Sequence, residues 1–88
     1  MHYLRIKRDG TGMHPREVIV KISTRDGVEH APIFDHNLKD DLLPIGYPVG
    51  VSGDFYLVEL PNETTRGKWR IYVDKSDVVS LEEPQRVA

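Results

Sequence analysis

The stretch that decides the fold class is GDFYLVEL, residues Gly53–Leu60, followed by KWRIYVDKSDV, residues Lys68–Val78. Both segments are rich in aromatic and β-branched residues, which favour strands. The segment between them, Pro61–Gly67, consists of turn formers. A tight turn over Asp74–Asp77 then leads into a last short strand, Val78–Leu81. This order predicts the later half of a small closed β-barrel and therefore an all-β fold.

The composition describes one ordinary globular domain. The chain has 88 residues, of which 39% are hydrophobic and 30% are charged. It has no cysteine, which excludes disulfides and thiolate metal sites and agrees with a reducing compartment. No apolar run approaches the about 20 residues that span a bilayer, and the first residues lack the apolar core of a secretory signal. We therefore expect a cytoplasmic protein with no membrane partner.

Charge is distributed unevenly along the chain, although the net charge is only −2. Residues 1–25 hold six Lys or Arg against two Asp or Glu, whereas residues 26–63 hold one against eight. The acidic middle argues against nucleic acid as the default partner, while the basic leading segment is able to attract phosphate.

The first half of the chain predicts a leading strand and a hairpin. The leading strand is expected at 3–6, and the breaker cluster at 9–16 is expected to be a mobile loop. Residues 17–23 and 28–34 predict two strands joined by the turn Thr24–Gly27, where Gly27 tolerates positive φ. Pro32 places the second of these strands at a sheet edge or a bulge.

The middle of the chain predicts the only helical segment. Leu38 and Leu42 have i, i+4 spacing and Pro44 follows them, so we expect one short helical turn over 38–43. Residues 45–51 predict a kinked strand or a wide loop. The domain is expected to cover 1–81, with a flexible polar tail at 82–88.

Strand alternation divides the later half into an inner and an outer face. The side chains expected to point inward are Tyr56, Val58, Leu60, Trp69, Ile71 and Val73. The outer face then carries Phe55, Leu57, Glu59, Lys68, Arg70 and Tyr72, with Glu59 able to pair with Lys68 or Arg70. Three large apolar groups on an outer face call for a cover, such as residues 3–6, or for a partner.

Residues Gly53–Val58 resemble the Gly-Asp-Trp-Trp-x-Ala strand of Src-homology-3 domains. Residues Tyr72–Val78 are similar to the closing strand, 3₁₀ turn and last strand of that family. The resemblance implies a small barrel of five or six antiparallel strands, with Phe55 in place of the ligand-stacking Trp. Related bacterial barrels are often interaction modules with no chemistry of their own. The family's Pro and Tyr positions are Asp74 and Asp77 here, and its early aromatic motif is absent, so proline-rich peptide binding is not carried over.

Catalytic and metal-binding patterns are missing. The chain has no cysteine nucleophile, no Gly-x-Ser-x-Gly elbow and no phosphate-binding glycine loop. Two His and two Asp cluster at His30, Asp35, His36 and Asp40, but their spacing fits no metal template. We therefore expect no enzymatic activity, no cofactor and no metal.

The sequence therefore predicts a non-enzymatic protein–protein interaction or accessory module whose partner is an unidentified protein or a second copy of the chain. The residues expected to contact that partner are Phe55, Leu57, Arg70, Tyr72 and Tyr47. The alternative is a barrel that binds single-stranded nucleic acid by stacking bases on aromatic rings within a basic strip. That strip would be formed by Phe55, Tyr72, Arg70, Lys68 and Arg66.

Overall fold

The structure is a computed structural model that describes residues 2–80, which form nine strands and two 3₁₀ turns. No α-helix occurs within that range. The predicted flexible tail at 82–88 and the domain end at 81 lie outside the described residues. The strands are β1 His2–Arg5, β2 Lys7–Thr11, β3 Glu17–Thr24, β4 Gly27–Phe34, β5 Leu42–Ile45, β6 Gly50–Ser52, β7 Phe55–Glu59, β8 Arg70–Asp74 and β9 Val78–Ser80. The 3₁₀ turns are Asp35–Asn37 and Lys75–Asp77.

The strands form three antiparallel sheets of three strands each, in the orders β5-β1-β9, β2-β3-β4 and β6-β7-β8. In the first sheet Leu4 lies opposite both Leu43 of β5 and Val78 of β9, so β1 is paired on both edges. The second and third sheets meet where the Arg25 N–H donates to the Tyr72 carbonyl over 2.9 Å. The predicted all-β class is confirmed.

The core collects apolar side chains from all three sheets. Its members are Leu4, Ile6, Val20, Ile22, Ala31, Ile33, Leu43, Ile45, Val58, Leu60, Ile71 and Val73. On β3 and β4 they alternate with exposed or half-buried residues, as expected for strands with one face against the core. Burial of a large aliphatic side chain contributes about 1.5–3 kcal/mol, so this cluster is the main source of stability.

Several predicted elements are confirmed. The hairpin turn at Thr24–Gly27 is present, with the Thr24 hydroxyl donating to the Gly27 carbonyl over 2.6 Å. Strand β4, which contains Pro32, lies at the edge of its sheet. The turn after Asp74 is a 3₁₀ turn, and the Asp74 carboxylate accepts a hydrogen bond from the Ser76 N–H at its start.

The predicted helical turn over 38–43 is wrong. A 3₁₀ turn lies earlier, at Asp35–Asn37, and residues from Leu42 onward form β5. The chain reverses between Lys39 and Leu42, whose backbone groups exchange two hydrogen bonds, and Asp40 adopts a φ of 55° there. Pairing of Leu43 with Leu4 of β1 buries both leucines, which outweighs a weak i, i+4 signal.

The strand count and closure also differ from the prediction. Residues 2–80 form nine strands in three sheets, rather than five or six strands in a closed barrel. The expected loop at 9–16 begins later, because residues 9–11 belong to β2. Residues 45–51 divide into the end of β5, a loop and the start of β6. Leu4 and Ile6 lie in the core, so they do not cover the outer face of β7 and β8.

Trp69 is the one inward prediction on the β8 side that is wrong. Ile71 and Val73 are buried as expected, whereas Trp69 is 43% exposed. Strand β8 begins at Arg70, so its alternation does not extend back to Trp69. The Leu60 N–H donates to the Trp69 carbonyl over 2.7 Å, and the Trp69 ring lies against the Arg70 guanidinium instead of in the core.

The hairpin turn gives a direct test of backbone strain. Gly27 has a φ of +124° and open space where a Cβ would stand, so Gly27→Ala should destabilise through strain alone. We expect a loss of about 1–3 kcal/mol in the free energy of unfolding, measured by urea denaturation. Gly46→Ala is the matched control, since Gly46 also has open space and lacks a positive φ. Equal stability of the two variants would contradict the described turn.

Candidate binding groove

A groove of about 360 Å³ lies where the tip of the β3–β4 hairpin meets β8. We call it the Trp69 groove. The side chains that matter for its chemistry are Arg25, Leu57, Lys68, Trp69, Arg70 and Tyr72. The hairpin turn supplies Arg25, β7 supplies Leu57, and the start of β8 with the two preceding residues supplies the rest.

Two guanidinium groups lie over aromatic rings in this groove. The Arg25 guanidinium carbon is 4.0 Å from the centre of the Tyr72 ring, and that of Arg70 is 4.4 Å from the centre of the Trp69 ring. Each such contact contributes about 0.5–1 kcal/mol at an exposed site. Both arginines also contact a carboxylate, Arg25 that of Asp26 at 3.3 Å and Arg70 that of Glu59 at 3.2 Å. Each ring in the groove therefore has a cation against its face, and each of these cations is also paired with a carboxylate.

The structure brings together three of the five predicted contact residues. Leu57 lies directly opposite Tyr72 in the β7–β8 register, and Glu59 lies opposite Arg70, which confirms the predicted cross-strand pair. Leu57, Arg70 and Tyr72 all line the groove. Because side chains alternate between the two faces of a strand, the sequence was sufficient to place these three residues on the same face.

The other two predicted residues lie outside the groove. Phe55 is two residues before Leu57 on the same strand face, yet it does not line the groove. Tyr47 is 79% exposed in the loop after β5, where its ring lies edge-on against the His2 ring at 4.8 Å. Tyr47 therefore belongs to a separate shallow depression with His2 and Ile45.

Sequence reasoning missed Arg25 and Trp69 as groove residues. The alternation of β8, extended back to Trp69, predicts a core position for this residue, but the strand begins only at Arg70. Arg25 was recognised only as part of a turn, because no local signal tells which strand the tip of a hairpin will contact. The backbone hydrogen bond from Arg25 to Tyr72 settles that in the structure.

A buried carboxylate lies at the back of the groove. The Glu29 side chain on β4 is only 1% exposed, and its Oε2 accepts a hydrogen bond from Arg66 and lies 3.9 Å from the Lys68 Nζ. Its Oε1 has no hydrogen-bond partner among residues 2–80. The hydrogen bond from the Arg66 guanidinium lowers the pKa of the Glu29 carboxyl, against the opposing effect of burial.

The Glu29–Arg66 ion pair fastens the loop before Trp69 to the hairpin. Two further hydrogen bonds act in the same place: the Thr65 N–H donates to the His30 carbonyl over 2.8 Å, and the Asn62 amide donates to the Pro32 carbonyl over 3.2 Å. Because a buried carboxylate is costly without a partner, this loop has one strongly favoured position. The wall of the groove that carries Lys68 and Trp69 is thereby positioned.

The His and Asp cluster of the sequence does not converge in the structure. His30 Nε2 lies 3.2 Å from the Asp9 carboxylate, Asp35 pairs with Arg8, and the His36 ring stacks on Phe34. Within residues 2–80 no three potential ligands come together in a geometry suited to a metal ion. That same range contains no helix with the length and apolar character needed to cross a bilayer.

The Glu29 ion pair predicts a pH-dependent contribution to stability. Since the pKa of Glu29 is lower in the folded than in the unfolded chain, its stabilisation is fully present above the unfolded pKa of about 4.3 and is lost as the pH falls through the folded value. Glu29→Gln should reduce the free energy of unfolding by about 1–3 kcal/mol at neutral pH, because it removes a charged hydrogen bond.

Urea denaturation of wild type and variant at neutral and acidic pH measures this effect. The difference between them should shrink as the pH falls, whereas the exposed control Glu63→Gln should differ little from wild type at either pH. A difference that is unchanged in acid would show that the charge of Glu29 contributes nothing.

Comparison of the chain with protein-family models, with curated proteins and with solved structures finds no match. The binding properties of the Trp69 groove are therefore inferred from its own residues and their geometry.

Proposed function

We propose that this chain is a non-enzymatic protein-binding module, built on a Src-homology-3-like arrangement of strands, and that the partner occupies the Trp69 groove. The arrangement is supported by the succession of β7, β8, a 3₁₀ turn and β9, with β9 returning beside β1. The absence of cysteine supports a cytoplasmic setting.

The observation that carries the proposal is the pair of aromatic rings, Trp69 and Tyr72, each covered by an arginine within one groove. Tryptophan, tyrosine and arginine are the residues that dominate binding energy at protein interfaces, because they combine a large apolar area with directed hydrogen bonds. Trp69 already exposes nearly half of its surface, so it can contact a partner without rearrangement of the core.

The four cations at the groove outnumber the three carboxylates paired with them, which favours a weakly acidic partner. Arg25, Lys68 and Arg70 line it, and Arg66 adjoins it through Glu29. Arg25 donates from its Nε and one Nη to Asp26, and Arg70 donates from its Nε to Glu59, so the remaining N–H groups of both are the ones that can bind a carboxylate of the partner. The partner that fits is an extended protein segment with carboxylates beside an aromatic or aliphatic side chain.

Single-stranded nucleic acid is the second candidate, and the same two rings favour it. Bases stack on exposed aromatic side chains, and the three cations of the groove would lie near phosphates. The acidic groups Asp26, Glu29 and Glu59 beside those cations weaken the attraction for a polyanion.

Random peptides displayed on phage are the probe for the first candidate. We expect enrichment of acidic peptides that contain an aromatic or aliphatic residue. Trp69→Ser and Tyr72→Ser should each weaken a selected peptide by about 1–2 kcal/mol in fluorescence anisotropy, with little change in melting temperature. Phe34→Ser is the matched control, because Phe34 is 39% exposed and lies outside the groove.

Other outcomes of this experiment decide against the proposal. Peptides that bind Trp69→Ser as tightly as wild type would exclude the groove as the binding site. Binding of oligothymidylate with an affinity that falls steeply with salt, together with no peptide enrichment, would establish the nucleic-acid function instead. Concentration-dependent sedimentation of the protein alone, abolished by Trp69→Ser, would identify a second copy as the partner.

A further inference from the structure

A second depression, of about 380 Å³, lies where β1 passes into β2. Arg5, Lys7 and Lys21 line it together with Ser23. Arg5 and Lys7 are both exposed, while Ile6 between them is buried in the core, so the two cations project to the same side of the chain. We call this feature the Lys7 depression. It shares no lining residue with the Trp69 groove.

Two of its cations directly face one another. Lys7 of β2 lies opposite Lys21 of β3 in the antiparallel register. Like charges in directly opposed positions of a sheet destabilise it, whereas opposite charges there are stabilising. Among residues 2–80, none of Arg5, Lys7 and Lys21 forms an ion pair or a side-chain hydrogen bond. These three cations are therefore unpaired within residues 2–80, and they outnumber the two carboxylates that line the same depression.

Two carboxylates, Asp41 and Asp77, also line the depression. Asp41 lies 3.5 Å from the Arg8 Nε and so is already paired. Neither carboxylate lies within ion-pair distance of Arg5, Lys7 or Lys21.

We propose that the Lys7 depression binds the phosphate group of a small molecule. Arg5 supplies a planar fork of N–H donors, the two lysines supply point charges, and the Ser23 hydroxyl supplies a further donor. A dianionic oxyanion placed between Lys7 and Lys21 turns their mutual repulsion into two attractions. A carboxylate carries only one negative charge and would compensate less of the positive charge of Arg5, Lys7 and Lys21. The site is independent of the protein-binding function proposed above.

Titration with inorganic phosphate and with tripolyphosphate, at an ionic strength held constant with sodium chloride, tests this proposal. In amide NMR spectra we expect saturable shifts at Lys7, Lys21 and Ser23, and in thermal melting a rise in melting temperature with phosphate. The double variant Lys7→Gln/Lys21→Gln should bind at least tenfold more weakly. It should also melt higher than wild type when no phosphate is present, because the repulsion is gone.

Arg16→Gln is the matched control, since it removes an exposed cation that does not line the depression, and it should bind phosphate like wild type. Shifts that do not saturate, or that persist in the double variant, would overturn the proposal. So would binding of oligothymidylate alone, without binding of either phosphate probe. We expect Trp69→Ser to bind phosphate like wild type. A failure of the proposal for the Trp69 groove would therefore leave the proposal for the Lys7 depression standing.

Discussion

The candidate binding site depends on one ion pair, between Glu29 on β4 and Arg66 in the loop that precedes Trp69. A carboxylate with only 1% exposure needs a partner, and the guanidinium comes from a segment 37 residues further along the chain. Together with the hydrogen bonds from Thr65 to His30 and from Asn62 to Pro32, the pair selects one position for a loop that contains no strand of its own. The position of this loop determines where Lys68 and Trp69 lie. The Arg70 guanidinium then stacks on the Trp69 ring.

The later half of the chain was the most predictable, and the reason is local. Alternation of apolar and polar residues fixes which side of β7 and β8 faces the core, so the grouping of Leu57, Arg70 and Tyr72 could be deduced without any distant contact. The turn at Thr24–Gly27 could be deduced because Gly27 tolerates a φ that few residues adopt. Both features are encoded within a few residues of where they occur.

The rest depends on contacts between distant segments, and those are not visible in a sequence. Leu38 and Leu42 carry a helical spacing, but β1 offers Leu43 a fully buried pairing and extends the backbone instead. Trp69 is a large apolar residue at an alternating position, yet a neighbouring guanidinium stabilises it in the open. Arg25 joins the groove because the hairpin tip reaches β8. The positions of Leu43 and Arg25 were decided by partners far away along the chain, and that of Trp69 by its neighbour Arg70 and by the loop before it.

The placement of β1 between β5 and β9 has a consequence for synthesis. Strand β1 comes before every other described strand in chain order, but β9, which pairs with one of its edges, is the last described strand. During translation the nascent chain therefore carries a half-paired β1, whose backbone donors and acceptors are open to any other extended polypeptide. The first sheet is complete only when β9 has emerged, so this sheet cannot form strand by strand in the order of synthesis.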